Sequence, residues 1–230
     1  MQIAGMQKLT LLDFPGRVAC TVFLNGCNLR CPFCHNASLV LHRDGAPPPM
    51  PQEELLAFLE KRRGRLDGVC VTGGEPTLCP DLPELLRQIK ALGYDIKLDT
   101  NGSHPELLRS LIDDGLVDYV AMDIKNSPAH YGETCGGIDI LPQVKQSAAL
   151  LMEGQVDYEF RTTLVRPLHC TDDLVAIGQW LQGAKRYFLQ QFIDSGDLIG
   201  TGLSAFNAEE MEAMWQAVLP YIENTALRGL

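Results

Sequence analysis

Strand-like segments rich in β-branched and aromatic residues alternate with helical segments along most of the chain, and this alternation constrains the fold most. Strands that alternate with helices of about 10–15 residues are typical of βαβ units and a parallel sheet. The predicted strands are Val18–Leu24, Gly68–Thr72, Asp95–Thr100, Tyr119–Ile124, Tyr158–Val165 and Tyr187–Phe192. The predicted helices are Gln52–Arg63, Leu82–Leu92, Pro105–Asp113, Pro142–Glu153, Thr171–Gln182 and Ala208–Glu223.

Six βα units are too few for a closed eight-stranded barrel. We therefore predict an α/β fold, a partial (β/α)6 open barrel of parallel strands, with a doubly wound open sheet as the alternative. The length of 230 residues and the lack of an internal repeat favour one domain over residues 1–230. Its core is expected at about residues 16–195, followed by a C-terminal helix at about 208–223.

Composition and charge exclude several classes of partner. A formal net charge of −10 argues against binding to nucleic acid or to an acidic membrane surface, because both need basic patches. The chain shows neither an apolar run of 18 residues nor a secretory signal, so we expect no membrane association and a cytoplasmic location. Eight cysteines without such a signal indicate thiols kept free in a reducing compartment, and no disulfide framework.

Three cysteines, Cys27, Cys31 and Cys34, lie in one short segment with the spacing Cys-x3-Cys-x2-Cys. Three thiolates can hold three irons of a [4Fe–4S] cluster, and the fourth iron then stays open to a substrate or cofactor. This arrangement favours catalysis over electron storage. The alternatives are a zinc site completed by His35, or buried structural cysteines.

Polar clusters follow the next predicted strands. Active sites of parallel α/β proteins lie at these carboxyl ends of the strands. A glycine pair could let a ligand approach the backbone closely, and an adjacent carboxylate could receive an ammonium group. An Asp and a Lys two residues apart share one strand face and could bind ribose hydroxyls and a carboxylate. A tight turn, an Asx turn and a plain ion pair are the respective alternatives. The clusters are Gly73–Glu75, Asp99–Asn101, Asp123 with Lys125, and Arg161 within the fifth strand.

The histidines show no metal-ligand spacing among themselves, so they add little to these clusters. We expect only His35 to lie near the cysteines, and we treat His42, His104, His130 and His169 as surface or turn residues. Two further cysteines inside strand-like runs, Cys20 and Cys70, are expected to be small core residues.

Several of these motifs together carry a family resemblance. The Cys27–Cys34 motif, with Phe33 before its last cysteine, resembles the signature of the radical S-adenosylmethionine (SAM) superfamily, and Gly73–Pro76 resembles that superfamily's second motif. Other segments are similar to positions in glycyl-radical-enzyme activases, and the resemblance spans about residues 5–195. Those segments are Asp13–Gly16, Cys34–Asn36, Asp99–Gly102 and Asp123–Lys125.

The resemblance implies a [4Fe–4S] cluster on the three cysteines, with SAM chelating the open iron. It implies that reduction cleaves SAM to methionine and a 5′-deoxyadenosyl radical, which abstracts hydrogen from a glycine of a partner enzyme. It places Gly73–Glu75 at the methionine amino group, Asp123 and Lys125 at the ribose or carboxylate, and Phe33 and His35 near the adenosine. The expected cofactor-binding set also includes Asp99, Thr100, Asn101 and Arg161. A monovalent cation is expected at Asp99 and Asp123.

The expected partner is a glycyl-radical enzyme, first of all anaerobic ribonucleoside-triphosphate reductase, with a one-electron donor such as flavodoxin. The alternatives are a pyruvate formate-lyase-type partner, a small-molecule substrate as in deazaguanine synthases, and a noncatalytic iron–sulfur or zinc protein. One departure concerns a histidine that related activases carry after the sixth strand, because Leu189–Gly196 contains none. Gln190, Gln191 and Asp194 are the candidates to replace its contact.

Overall fold

The computed structural model of the protein describes residues 2–41 and 48–229. These residues form one eight-stranded sheet in which spatial order follows chain order, β1 to β8. The strands are β1 (Ile3–Thr10), β2 (Ala19–Leu24), β3 (Gly68–Gly73), β4 (Asp95–Thr100), β5 (Tyr119–Asp123), β6 (Asp157–Leu164), β7 (Tyr187–Gln191) and β8 (Thr225–Arg228). The helices are α1 (Ala37–Leu41), α2 (Gln52–Arg62), α3 (Leu82–Ala91), α4 (Pro105–Asp113), α5 (Tyr131–Thr134), α6 (Leu141–Met152), α7 (Thr171–Trp180) and α8 (Ala208–Val218).

The sheet is a partial barrel, as predicted. Neighbouring strands from β2 to β8 pair in parallel, whereas β1 pairs with β2 in the antiparallel sense. No pairing joins β1 to β8 among the described residues, so the barrel is open along that side. The sequential strand order excludes the doubly wound alternative, in which the order reverses at a switch point.

Sequence reasoning missed both edge strands and misplaced one helix end. The first, β1, carries Gly5 and mixes polar with apolar residues, and β8 has only four residues, so neither gives a clear alternating pattern. The last helix, α8, begins with the predicted capping box but ends at Val218, before the predicted Glu223. Pro220 accounts for the early end, because it has no backbone N–H to donate to the Gln216 carbonyl, although Leu219 before it keeps helical backbone angles.

Strand β4 shows how the sheet separates the core from the site. Ile96 and Leu98 are fully buried on the face that the helices cover. Lys97 and Asp99 alternate with them and therefore point to the barrel interior. The helices supply the other half of the core, as in α3, where Leu82, Leu85, Leu86 and Ile89 are fully buried at helical spacing. No helix within the described ranges is long and apolar enough to cross a membrane.

Candidate functional site

Every predicted site residue lines one cavity of about 460 Å³ at the carboxyl ends of the parallel strands. We call it the upper cavity. Parallel strands bring their carboxyl ends to one edge, so clusters that are far apart in sequence meet there. The residues that were predicted and that line it are Cys27, Cys31, Phe33, Cys34, His35, Gly73, Gly74, Glu75, Asp99, Thr100, Asn101, Asp123, Lys125 and Arg161.

The loop that carries the three cysteines joins β2 to α1 and is held by backbone hydrogen bonds from distant segments. The Arg30 amide donates to the Cys135 carbonyl at 3.1 Å, and the Gly200 amide donates to the Pro32 carbonyl at 2.8 Å. Gly200 makes this contact only because it lacks a side chain, since a Cβ there would lie 2.6 Å from Pro32 Cβ. The segments after β5 and β7 therefore fix the cysteine loop.

The electrostatics of the three thiols differ. Burial raises the pKa of Cys27 to about 11 and raises the pKa of Cys34, while the Lys125 ammonium lowers both. A hydrogen bond with the Cys135 thiol lowers the pKa of Cys31 to about 7, against the effect of burial. All three thiols are free, and the Leu29 amide donates to Cys27 Sγ at 3.4 Å. Iron binding would therefore displace protons from Cys27 and Cys34.

The two glycines after β3 pack directly on the start of the cysteine loop. A Cβ on Gly74 would lie 1.9 Å from the Gly26 carbonyl oxygen, and one on Gly73 would lie 2.3 Å from the Leu24 oxygen. Gly73 also has φ +124°, a region that favours glycine. This pair therefore sets the distance between the cysteine loop and the rest of the cavity wall.

The Glu75 carboxylate ties the glycine turn to the end of β4. Oε1 accepts hydrogen bonds from the Thr77 amide at 3.1 Å and from Thr100 Oγ1 at 2.7 Å, and Oε2 accepts from the Asn101 amide at 2.6 Å. Only 1% of Glu75 is exposed, and burial raises its pKa despite these donors. Glu75 therefore holds the glycine turn and the end of β4 in position.

Asn101 agrees with both interpretations that the sequence left open, an Asx turn and a side chain of the candidate site. Its Oδ1 accepts from the Ser103 amide at 2.9 Å, which is an Asx turn. Its Nδ2 donates to Asn28 Oδ1 at 2.9 Å and lies 4.0 Å from Cys27 Sγ. The side chain therefore connects the end of β4 to the cysteine loop.

Five alternating charges, which we call the upper charge network, cross the floor of the upper cavity. Arg161 on β6 contacts Asp99 at 3.3 Å and Asp123 at 2.9 Å, and it bridges the two carboxylates. Lys97 pairs with Asp99, and Lys125 Nζ pairs with Asp123 at 3.0 Å. Burial alone would raise the pKa values of both carboxyls, but Arg161 and the lysines hold them below the ordinary range. The network is thus ionised and carries one excess positive charge.

Sequence reasoning predicted Arg161 as a site residue but missed Lys97. Lys97 was not predicted, although its spacing of two from Asp99 puts both side chains on one face of β4. Only 2% of the Lys97 side chain is exposed, and its ammonium also lies 3.9 Å from Cys70 Sγ. Cys70 therefore faces the charged barrel interior, whereas Cys20 is fully buried in the apolar core, as predicted.

The prediction that all histidines except His35 are surface or turn residues is wrong for His169. His169 is 4% exposed, its Nε2 lies 2.9 Å from the Lys125 carbonyl oxygen, and its ring meets Phe33 edge-on at 6.2 Å. It thus supports both Phe33 and the backbone of Lys125. His104 is half-buried and bonds Thr77 through Nδ1 at 3.1 Å, and His42 lies outside the described residues.

Gln190 is the one candidate for the missing activase histidine that lines the upper cavity. Gln191 turns away and donates from Nε2 to the Phe206 carbonyl at 2.9 Å. Asp194 is exposed and accepts a hydrogen bond from the Gly196 amide at 2.8 Å. The alternation of side chains along β7 separates the two glutamines.

The donor set at the cysteine loop fits an iron–sulfur cluster. Three free thiols face one cavity, and the Leu29 amide donates a hydrogen bond to one sulfur, an interaction that tunes the reduction potential of iron–sulfur clusters. Within residues 2–41 and 48–229, no three His, Cys, Asp or Glu side chains converge to hold a single metal ion.

Comparisons with known proteins identify the family of this chain. The sequence pattern of the radical SAM superfamily matches residues 21–169. A Methanocaldococcus jannaschii protein named "Putative glycyl-radical enzyme activating enzyme" is 32% identical over 236 residues, covering 99% of this chain and 96% of that protein. A 7-carboxy-7-deazaguanine synthase of Thermococcus kodakarensis is 30% identical over 161 residues, covering 62% of each. A radical SAM methyltransferase from Sphaerobacter thermophilus superimposes with a TM-score of 0.70 at 14% identity, covering 96% of this chain and 68% of that one.

The chain belongs to the radical SAM superfamily and is a radical SAM enzyme. Membership implies a [4Fe–4S] cluster and SAM as cofactors. The cavity at the cysteine loop, which the barrel topology assembles from successive strand ends, is the place that fits both.

Proposed function

We propose that this protein is an activase that uses SAM to install a glycyl radical on a partner enzyme. The observation that carries the proposal is the match to the Methanocaldococcus protein, which extends over 99% of this chain. The matched region therefore includes the edge strands and the cavity half formed by β6 and β7, as well as the cysteine motif. We further propose anaerobic ribonucleoside-triphosphate reductase as the partner and a flavodoxin-like protein as the electron donor, on the sequence resemblance alone.

In this proposal Cys27, Cys31 and Cys34 hold the cluster, and SAM lies across the upper cavity. Bound together, the cluster and SAM would supply one-electron cleavage of a carbon–sulfur bond, which yields a carbon-centred radical. The Gly73–Gly74 backbone meets the methionine end, and Phe33 and His35 lie beside the adenosine. Glu75 holds the glycine turn and Asn101 in place for that contact.

The upper charge network orients the cofactor from below. Asp123 and Lys125 are half-buried and already paired, so hydroxyl or carboxylate groups of SAM meet a preorganised pair that does not need to rearrange. The monovalent cation expected at Asp99 and Asp123 stays a prediction. We propose instead that Lys97, Arg161 and Lys125 supply the positive charge there, because they already contact both carboxylates.

Anaerobic reconstitution tests the proposal in two stages. The iron–sulfur protein with dithionite and SAM should form 5′-deoxyadenosine, and a chain that forms none is not a radical SAM activase. Added ribonucleotide reductase should then show a glycyl radical by electron paramagnetic resonance. A silent spectrum with the reductase, but a signal with a pyruvate formate-lyase-type enzyme, would change the partner and keep the function.

The second candidate function is chemistry on a small heterocyclic molecule. The match to the Thermococcus deazaguanine synthase favours it, but that match covers only 62% of each chain. Formation of 5′-deoxyadenosine stimulated by a small heterocycle, with no glycyl radical on any protein partner, would favour this second function over the first.

A further inference from the structure

The upper cavity has two halves, and the cofactor assignments fill only one. The residues assigned to the cluster and SAM come from the ends of β2, β3, β4 and β5, with Arg161 as the exception. The half beside the open edge of the barrel is lined by polar side chains that have no assigned role. They are Gln7 on β1, Asp13 and Thr21 beside it, Thr163 on β6 and Gln190 on β7.

Thr163 and Gln190 form an adjacent pair in this second half. They are direct partners in the register of β6 and β7, and both line the upper cavity. Neither side chain makes a hydrogen bond within the described part of the chain, whereas Asp13 and Thr21 bond each other at 2.5 Å. A hydroxyl and a carboxamide that face a cavity without internal partners are free to bind a ligand.

The pair lies at the open side of the barrel. Gln190 is opposite Arg228, the last residue of β8, so beyond this level β7 has no strand on its outer side. Across the opening, Gln7 on β1 also lines the upper cavity, and its amide is held by the Leu9 carbonyl at 3.1 Å. An extended chain segment entering through the opening between β1 and β8 would pass between these two glutamines.

The chemistry of the pair matches a peptide backbone. A carboxamide both donates and accepts hydrogen bonds, as a peptide unit does, and a hydroxyl can do either. Neither group carries charge, and neither requires a particular side chain on the ligand. The pair would therefore bind a backbone segment whatever its sequence, provided that small residues let it approach closely.

We propose that Thr163 and Gln190 form a substrate subsite that hydrogen bonds the peptide backbone next to the target glycine of the partner. This inference rests on the proposed function, because it names how that function's substrate is held. It also gives Gln190 a role other than replacing the contact that the histidine of related activases makes. SAM binding should then depend little on Gln190, and peptide binding should depend on it strongly.

The test uses a synthetic peptide, acetyl-Ala-Ala-Gly-Ala-Ala-amide, with both α-hydrogens of glycine replaced by deuterium. Reconstituted enzyme with dithionite and SAM should transfer deuterium into 5′-deoxyadenosine, which mass spectrometry measures as a function of peptide concentration. We expect Gln190→Leu and Thr163→Val each to raise the peptide KM about three- to tenfold, the effect of one neutral hydrogen bond. In both variants the KM for SAM should change less than about twofold, because neither side chain is expected to hydrogen bond SAM.

Gln191→Leu is the matched control, because its amide points to Phe206 and away from the upper cavity. It should leave both KM values within error of the wild type. A higher KM for SAM in Gln190→Leu, with an unchanged peptide KM, would show that Gln190 contacts SAM and would overturn the proposal. Equal peptide KM values in all four proteins would overturn it as well.

Failure of the proposed function gives a different result. Wild-type enzyme that transfers no deuterium from the peptide and forms no glycyl radical on any full-length partner contradicts the activase function itself. Wild-type enzyme that activates a full-length partner but takes no deuterium from the peptide contradicts only this subsite, because backbone recognition does not require the rest of the partner.

Discussion

Two cavities of nearly equal volume lie at opposite ends of the barrel interior. The upper cavity, of about 460 Å³, holds the free thiols, the glycine turn, and Thr163 and Gln190, whose side chains make no hydrogen bond with other described residues. The other, of about 440 Å³, lies at the amino ends of the strands, and we call it the lower cavity. Both are lined by charged side chains, so volume and charge do not distinguish them.

In the lower cavity, as in the upper charge network, charged side chains pair with one another, but among the described residues no cysteine lines the lower cavity. Arg228 contacts both oxygens of Glu159, at 2.7 and 2.9 Å, and Arg17 pairs with Asp95 at 2.7 Å. Arg186 donates to the Tyr119 hydroxyl at 3.2 Å, and burial raises the pKa of that hydroxyl to about 12. The comparison indicates that groups left free for a ligand identify a site better than the volume of a cavity does.

The largest expected effect is loss of the cluster in Cys31→Ala. Removal of one of the three ligands should abolish iron binding and SAM cleavage. This loss is larger than the roughly 10–100-fold drop in metal affinity or activity that removal of an outer-shell contact causes. Iron content and 5′-deoxyadenosine formation measure both. Cys170→Ala is the control, because that thiol is exposed at the start of α7 and does not line the upper cavity. Full retention of cluster and activity in Cys31→Ala would refute the site.

The next largest effect is expected from Gly74→Ala. The added methyl group would meet the Gly26 carbonyl at 1.9 Å and push the cysteine loop outward, which overpacks the structure by roughly 1–3 kcal/mol. Iron content after reconstitution and the thermal midpoint should both fall. Gly5→Ala adds the same methyl group where no atom lies within 4 Å, and it should change neither. Normal iron content in Gly74→Ala would show that the loop tolerates displacement.

Matched amide substitutions compare the charge pairs of the two cavities. Asp123→Asn should lower SAM cleavage by roughly tenfold or more, because Lys125 and Arg161 lose a charged partner beside the cofactor. Glu159→Gln should leave SAM cleavage within about twofold and instead lower the free energy of unfolding by roughly 1–3 kcal/mol. Equal loss of activity in both variants would mean that the lower cavity also takes part in catalysis.

The smallest effect concerns the pH dependence of the lower pair. Burial alone would raise the pKa of Glu159, but Arg228 outweighs it and holds that pKa below the ordinary value. The unfolded carboxyl therefore binds more protons than the folded one in acid, so the stabilisation is complete above about pH 5 and is lost as the pH falls through the lowered pKa of the folded state. The difference in unfolding free energy between wild type and Glu159→Gln, measured in urea, should be constant from pH 8 to about 5 and shrink below that. A difference that grows in acid would contradict this sign.

Sequence reasoning predicted side chains that the structure brings together in one cavity, but it missed the edges of the sheet. Clusters at strand ends were recognisable because each lies within two or three residues of an apolar alternating segment. The edge strands β1 and β8 were missed because β1 mixes polar with apolar residues and β8 is short. The pairing of β8 with β7 also depends on a strand on the far side of α8, which local patterns do not encode.

By itself the sequence determined the βα alternation, the partial barrel, the superfamily, and the cysteine, glycine and charged clusters that lie at the strand ends. These follow from periodicity and from motifs that are short and continuous. The tertiary structure alone decided which charges pair, that His169 is buried under Phe33, and that Gln190 rather than Gln191 faces the cavity. The physical reason is that the register between strands brings side chains from distant segments together: Arg161 on β6 reaches Asp99 on β4 and Asp123 on β5.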